Sequence, residues 1–141
     1  MRLNVTSNVV QVRRWLQSRT VGSRDTRRAI GRTAEFVKDT IKQRTISGSG
    51  VFGKFKSYSA EYAKFRRDTG RGAKVDLTYS GRMLAGMRWK HNGRGKAILF
   101  FRASEEEKAQ QNHASRPFFK VNRKEEARAV RLFGRYLLNE R

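Results

Sequence analysis

Apolar residues recur through one stretch at Ala29, Ile30, Ala34, Val37 and Ile41, with Thr33 on the same line. Steps of three and four residues match the period of an α-helix. The spacing predicts a helix over 25–45, opened by Ser23 or Asp25, with Phe36 beside the stripe. Arg27, Arg28, Arg32, Lys38 and Lys42 fall on its other faces. Glu35 with Lys38, and Asp39 with Lys42, stand three apart and give small local support. Gly31 lies inside the helix and weakens it by about 1 kcal/mol relative to alanine, which a close packing contact would explain.

The rest of the chain divides into shorter pieces. Residues 1–7 read as a strand and 8–16 as a helix with Val9, Val12, Trp15 and Leu16 on one stripe. Ser47 to Gly53 carries three glycines and reads as a flexible loop anchored by Phe52 and Phe55. Tyr58, Tyr62 and Phe65 follow at i, i+4, i+7, so Ser57 or Ser59 is expected to cap a helix. Cations interleave these rings, as in single-stranded nucleic-acid platforms, but helical packing already accounts for the spacing. Asp68 to Lys74 is a basic glycine loop that lacks the spacing of a nucleotide-binding loop. Val75 to Leu77 is extended, and Ser80 is expected to cap a turn that points Met83, Leu84 and Met87 inward.

Asn92-Gly93 predicts a hairpin between strands near 87–91 and 96–102. The second strand carries large apolar groups on both sides and is expected to be covered twice or to meet a partner subunit. Ser104 with Glu107 predicts a capping box and a helix to about Asn112. Pro117 stops it, and Phe118-Phe119 begins a buried or interfacial segment. Asn122, ahead of Glu125 and Glu126, predicts the cap of a last helix with Ala129, Val130, Phe133, Leu137 and Leu138 on its apolar faces.

Charge is spread over the whole length. Of 33 basic and 12 acidic residues, 18 and 5 lie in residues 1–74, and 15 and 7 in 75–141, for a total of +21. Such a chain attracts polyanions, either nucleic acid through counterion release or acidic protein surfaces. No zinc-finger, RNP-like or basic-zipper pattern accompanies the charge. The 141 residues suit one domain. Without cysteine there is no disulfide framework or thiol nucleophile. The sequence contains no run of 18 apolar residues, so no membrane span is expected, and Met1-Arg2-Leu3-Asn4 does not open a signal peptide.

Catalytic chemistry is sparse. His91 and His113 are the only histidines and read as surface residues. Neither stands in a metal-ligand spacing, and no serine sits in a nucleophile elbow. Glu105, Glu106 and Glu107 point in different directions on a helix and fit its dipole better than a cation site. Asp76 is an isolated acid expected to pair with Arg82 or Arg88. No enzyme activity, metal or cofactor is expected.

Two stretches resemble a known family. Val75-Asp76-Leu77-Thr78-Tyr79-Ser80-Gly81-Arg82-Met83-Leu84 resembles a segment of tailed-bacteriophage tail-completion, neck (head–tail joining) and virion-morphogenesis proteins. There it follows a Tyr/Lys-rich helix and a glycine loop, which Tyr62, Lys64 and Gly70 to Gly72 match, and precedes a strand hairpin. Glu107-Lys108-Ala109 through Arg116-Pro117-Phe118-Phe119 is similar to the family's pattern leading into a last helix. The resemblance spans about residues 25 to 138.

It implies a small α+β or α/β subunit. The expectation drawn from it is α+β, with a long N-terminal helix and a C-terminal helix packed on a small, mainly antiparallel sheet. Residues 1–24 form an N-terminal extension and 25–141 a single tail-completion or neck-like domain. It further implies a structural virion protein in a homo-oligomeric ring at the neck or tail terminus. The partners would be portal, adaptor or tail-tube and terminator proteins, with non-specific contact to DNA in the channel. Its place would be the virion, and the host cytoplasm during assembly. The alternative is a free nucleic-acid-binding protein of low sequence specificity. Candidate interface residues are Trp15, Phe52, Phe55, Ile98, Phe100, Phe118 and Phe119. Candidate DNA-facing or acidic-partner-facing residues are Arg66, Arg67, Arg71, Lys74, Arg94 and Lys96. The strong basic charge and residues 1–24 depart from the family pattern.

Overall fold

The computed structural model describes residues 1–4, 23–78, 80–93 and 95–138, which adopt an α+β fold. Strand β1 is Leu3–Asn4, and helix α1 is Ser23–Ile46. Two short strands, β2 (Ser49–Gly50) and β3 (Gly53–Lys54), pair antiparallel. Helix α2 spans Ala60–Asp68, and α3 is the single turn Arg82–Ala85. Strands β4 (Met87–His91) and β5 (Ala97–Phe101) form the predicted hairpin, and β1 adds antiparallel to the far edge of β5, giving the order β1-β5-β4. Helices α4 (Ala103–Ser115) and α5 (Arg123–Leu137) complete the chain.

The stripe on α1 is the centre of the core. Ala29, Ile30, Ala34, Val37 and Ile41 are all buried. They are joined by Thr33 and Thr45, whose hydroxyls donate to the carbonyls of Ala29 (2.8 Å) and Ile41 (2.7 Å). These bonds satisfy polar groups that burial would otherwise strand. Register pairs Met87 with Phe101, Trp89 with Leu99 and His91 with Ala97, so these six share one sheet face. Trp89 lies against α1 at Gly31, where a Cβ would come within 2.9 Å of the indole ring. That is the close contact the helical glycine suggested.

Helix α5 lies along the other side of α1. Arg32 stacks on Tyr136 (4.2 Å) and Arg128 on Phe36 (5.2 Å). Near the far end of α1, Arg44 pairs with Glu125 and donates to the carbonyls of Phe118 (2.6 Å) and Lys120 (2.7 Å). Glu125 also closes the predicted capping box of α5, accepting from the Asn122 N–H while its own N–H donates to Asn122 (both 2.9 Å). One carboxylate therefore fixes both the start of α5 and its distance from α1.

Several expectations change. The cap of α4 is Arg102 rather than Ser104, and no side chain caps it. Arg102 N–H bonds the Gly86 carbonyl (3.0 Å), so the chain leaves β5 directly into the helix. Its acids do diverge: Glu106 meets the Met1 ammonium, Glu107 accepts from Gln111, and Glu105 lies beside Gly86. The N-cap of α3 is Gly81 at φ 71°, one residue after Ser80. The glycine-serine loop contains the β2–β3 hairpin, held by Val51 N–H to the Pro117 carbonyl (2.9 Å). The predicted helix over 8–16 lies outside the described residues.

These packing arrangements set two expectations for stability. A Cβ on Gly50 would lie 2.4 Å from the Pro117 carbonyl oxygen and 2.7 Å from the Phe55 ring. Backbone cannot yield as a side-chain tip can, so G50A is expected to lose about 1–3 kcal/mol in urea denaturation. R44A strands the largely buried Glu125 carboxylate and is expected to cost about 3 kcal/mol, more than E125Q, by the same measurement.

Candidate interaction surface

The predicted surface residues separate into two groups. Ile98, Phe118 and Phe119 are buried in this chain, not offered to a partner. Phe118 and Phe119 pack around Phe101, with ring centroids 6.0 and 4.8 Å away. Their N–H groups donate to His113 Nδ1 (3.3 and 3.1 Å). His113 is thus a half-buried acceptor rather than a surface histidine, and burial, with Lys120 nearby, holds its pKa below the ordinary value. Phe55 is half-buried against the core. Phe100 is half-buried, with the Lys90 ammonium 5.4 Å from its ring. Phe52 alone among the described interface candidates stands in solvent, 86% exposed at the β2–β3 turn. Trp15 and Arg94 lie outside the described residues.

Among the cations, Arg67, Arg71, Lys74 and Lys96 are exposed or partly exposed as expected, but Arg66 is only 1% exposed. Its guanidinium donates to the carbonyls of Gly72 (2.9 Å) and Arg71 (3.4 Å), to the Tyr58 hydroxyl (3.3 Å) and to Asp76 (3.3 Å). Two cations lie against the Tyr58 ring, Arg66 at 5.1 Å and Arg116 at 4.9 Å from its centroid. Arg116 also donates to the carbonyls of Lys56 (3.1 Å) and Ser57 (3.3 Å). The basic glycine loop therefore wraps around an arginine instead of an external phosphate. Asp76 pairs with Arg66, not Arg82 or Arg88, and accepts from the Thr78 N–H (3.0 Å). Between them Leu77 sits at φ 55° with its side chain buried, a conformation a bulky residue holds only when its surroundings enforce it. The Asp76–Thr78 bond and the burial of the Leu77 side chain supply that enforcement.

A cleft of about 440 Å³ opens beside this node, lined by Tyr58, Tyr62, Leu77, Lys108, Asn112 and Arg116 among others. Tyr62, in its lining, stacks on Phe65 at 6.1 Å, and both rings are exposed. Ser59 caps α2, accepting from the Tyr62 N–H (3.2 Å), so the helical reading of the aromatic spacing holds. The three rings do not, however, enter a common core: only Tyr58 packs against it.

A second surface was missed by sequence reasoning. Arg24, Arg27, Arg28, Lys38 and Lys42 fall within roughly a 100° arc of α1, turned away from the centre of the buried stripe. The signal was available, because basic residues can follow the helical period as apolar ones do. Among the described residues no group of three or more His, Asp or Glu could hold a metal, and no helix is long and apolar enough to cross a membrane. No protein-family model and no curated protein matches the chain, and no solved structure matches its fold.

The Asp76 carboxyl is pushed up by burial, but bonds from Thr78 and the charge and bond of Arg66 outweigh this and lower its pKa. A carboxyl lowered on folding stabilises above its unfolded value, near 3.8, and loses that contribution as pH falls through its folded value. D76N is therefore expected to cost about 2 kcal/mol at pH 7. The gap to wild type should narrow below pH 3.8 in pH-resolved urea melts.

Proposed function

We propose that this chain is a structural virion protein of a tailed bacteriophage, one subunit of a ring at the neck or tail terminus. The observation that carries the reading is the placement of the two family-like stretches. Val75, Leu77, Met83 and Leu84 from the first and Ala109, Phe118 and Phe119 from the second share one hydrophobic cluster. Two stretches of sequence, well separated along the chain, that resemble one family thus pack into one core here, together with the α1 stripe and the β4–β5 hairpin. Their polar members have structural work as well: Asp76 holds Arg66, and Arg116 ties α4 to the segment before α2.

A ring subunit needs complementary surfaces rather than a reaction centre. A cyclic contact joins one patch to a different patch on the next copy. The Phe52 turn and the Tyr62–Phe65 pair supply exposed aromatic groups of the kind enriched in interface cores. Portal, adaptor and tail-tube or terminator proteins are the proposed neighbours.

Native mass spectrometry and electron microscopy of the chain, alone and mixed with candidate portal and tail-tube proteins, test this reading. Ring-shaped oligomers are expected, and F52D is expected to abolish them while leaving the melting temperature within about 2 °C, since exposed substitutions change stability little. A chain that stays monomeric and unassociated under all these conditions contradicts the reading.

A further inference from the structure

The basic face of α1 has a built floor and walls. Gly31 and Trp89 form the floor of a shallow groove, and Arg24, Arg27, Arg28 and Arg32 line it beside His91. Trp89 is held by its indole N–H, which donates to Glu35, and by an edge-on contact with His91 at 5.2 Å. The acids on this face are already engaged. Asp25 accepts from Arg28 (3.3 Å), Glu35 accepts from Lys38 and Trp89, and Asp39 lies 4.0 Å from Lys38. Arg24 and Arg27 form no ion pair among the described residues. Burial, with Arg27 nearby, lowers the pKa of His91. Further along the helix, Lys42 feels the charges of Lys38 and Arg88, opposed by those of Asp39 and Glu35. The basic line from Arg24 to Lys42 runs about 27 Å at about 1.5 Å per residue.

We infer that this face binds the phosphodiester backbone of a nucleic-acid duplex. Its length matches about eight base pairs at roughly 3.4 Å each. Arginine forks suit phosphate oxygens. An acidic protein partner is the weaker fit: Trp89 in the floor is half-buried and already engaged, and of the exposed large apolar residues only Ile46, one turn beyond Lys42, continues this face, while Phe52, Tyr62 and Phe65 lie on other elements. Protein interfaces gather aromatic anchors at their centres, whereas backbone contact to nucleic acid needs cations in register. The inference uses charge placement in the single chain and does not depend on the virion reading, so a monomer that binds duplex without forming rings separates the two.

The test is fluorescence anisotropy with a labelled mixed-sequence duplex of about 20 base pairs, titrated from about 50 to 200 mM salt. R24Q/R27Q is expected to reduce the slope of log K against log salt by about 1.8, at about 0.9 for each phosphate no longer neutralised. The charge-matched variant R67Q/K74Q, in the glycine-loop region, is expected to change it by less than about 0.5. Unchanged far-ultraviolet circular dichroism and melting in both variants exclude unfolding as the cause. In a W15F background, Trp89 fluorescence is expected to change on duplex addition in step with the anisotropy. Equal slope changes in both variants overturn the inference, as does failure of the wild-type chain to bind at about 50 mM salt. Polyglutamate binding that disappears in R24Q/R27Q while duplex binding persists assigns the face to an acidic protein and overturns it too.

Discussion

The structure depends on burying one stripe of α1. Ile30, Ala34, Val37 and Ile41 meet Met87, Leu99 and Phe101 in the same cluster, and α5 closes the remaining side. With +21 on 141 residues, self-repulsion opposes any compact state, and the apolar seam must outweigh that penalty. The charge is accommodated by position. Cations lie on the helix face away from the seam, stack on Tyr58, Tyr136 and Phe36, or, in the largely buried Arg44 and Arg66, meet carboxylate and carbonyl partners, with Arg44 Nε alone left unpartnered among the buried side-chain nitrogens and oxygens of the described residues.

Those two arginines do related work. Each is a hub for backbone carbonyls from segments distant in sequence or irregular in conformation. Arg44 collects the carbonyls of Phe118 and Lys120 and the capping carboxylate of α5. Arg66 collects the glycine loop, Tyr58 and Asp76. Loop carbonyls that a helix or sheet would normally satisfy are satisfied here by guanidinium forks. A lysine in either place would offer a point charge without the planar fork.

What was legible in the sequence was local. The α1 stripe, the Asn92-Gly93 hairpin, the Ser59 cap and the Asn122–Glu125 capping box all depend on residues within a few positions of one another. What was not legible depended on distance. Nothing near Arg66 in sequence shows that Asp76, ten residues on, faces it, so its composition read as surface. Phe118 and Phe119 looked like interface rings because their partner, Phe101, sits on a strand 17 or more residues earlier. Ser104 does not take the capping role because the Arg102 N–H to Gly86 bond starts α4 early. The alternative surface on α1 was hidden for another reason: charged helix faces are usually solvated, and only the engaged state of Asp25, Glu35 and Asp39 separates this one from that background.

The two proposals divide the surface between them: aromatic groups at the β2–β3 turn and α2 for protein neighbours, and the basic face of α1 for a polyanion. Hydroxyl-radical footprinting read by mass spectrometry measures this division directly, on the chain alone, with duplex DNA, and in the proposed oligomer. The account predicts that DNA protects side chains between Arg24 and Lys42, with Trp89, and that assembly protects Phe52, Tyr62 and Phe65. Protection of the same side chains by both partners, or of Arg67 to Lys74 by DNA in place of α1, would contradict it.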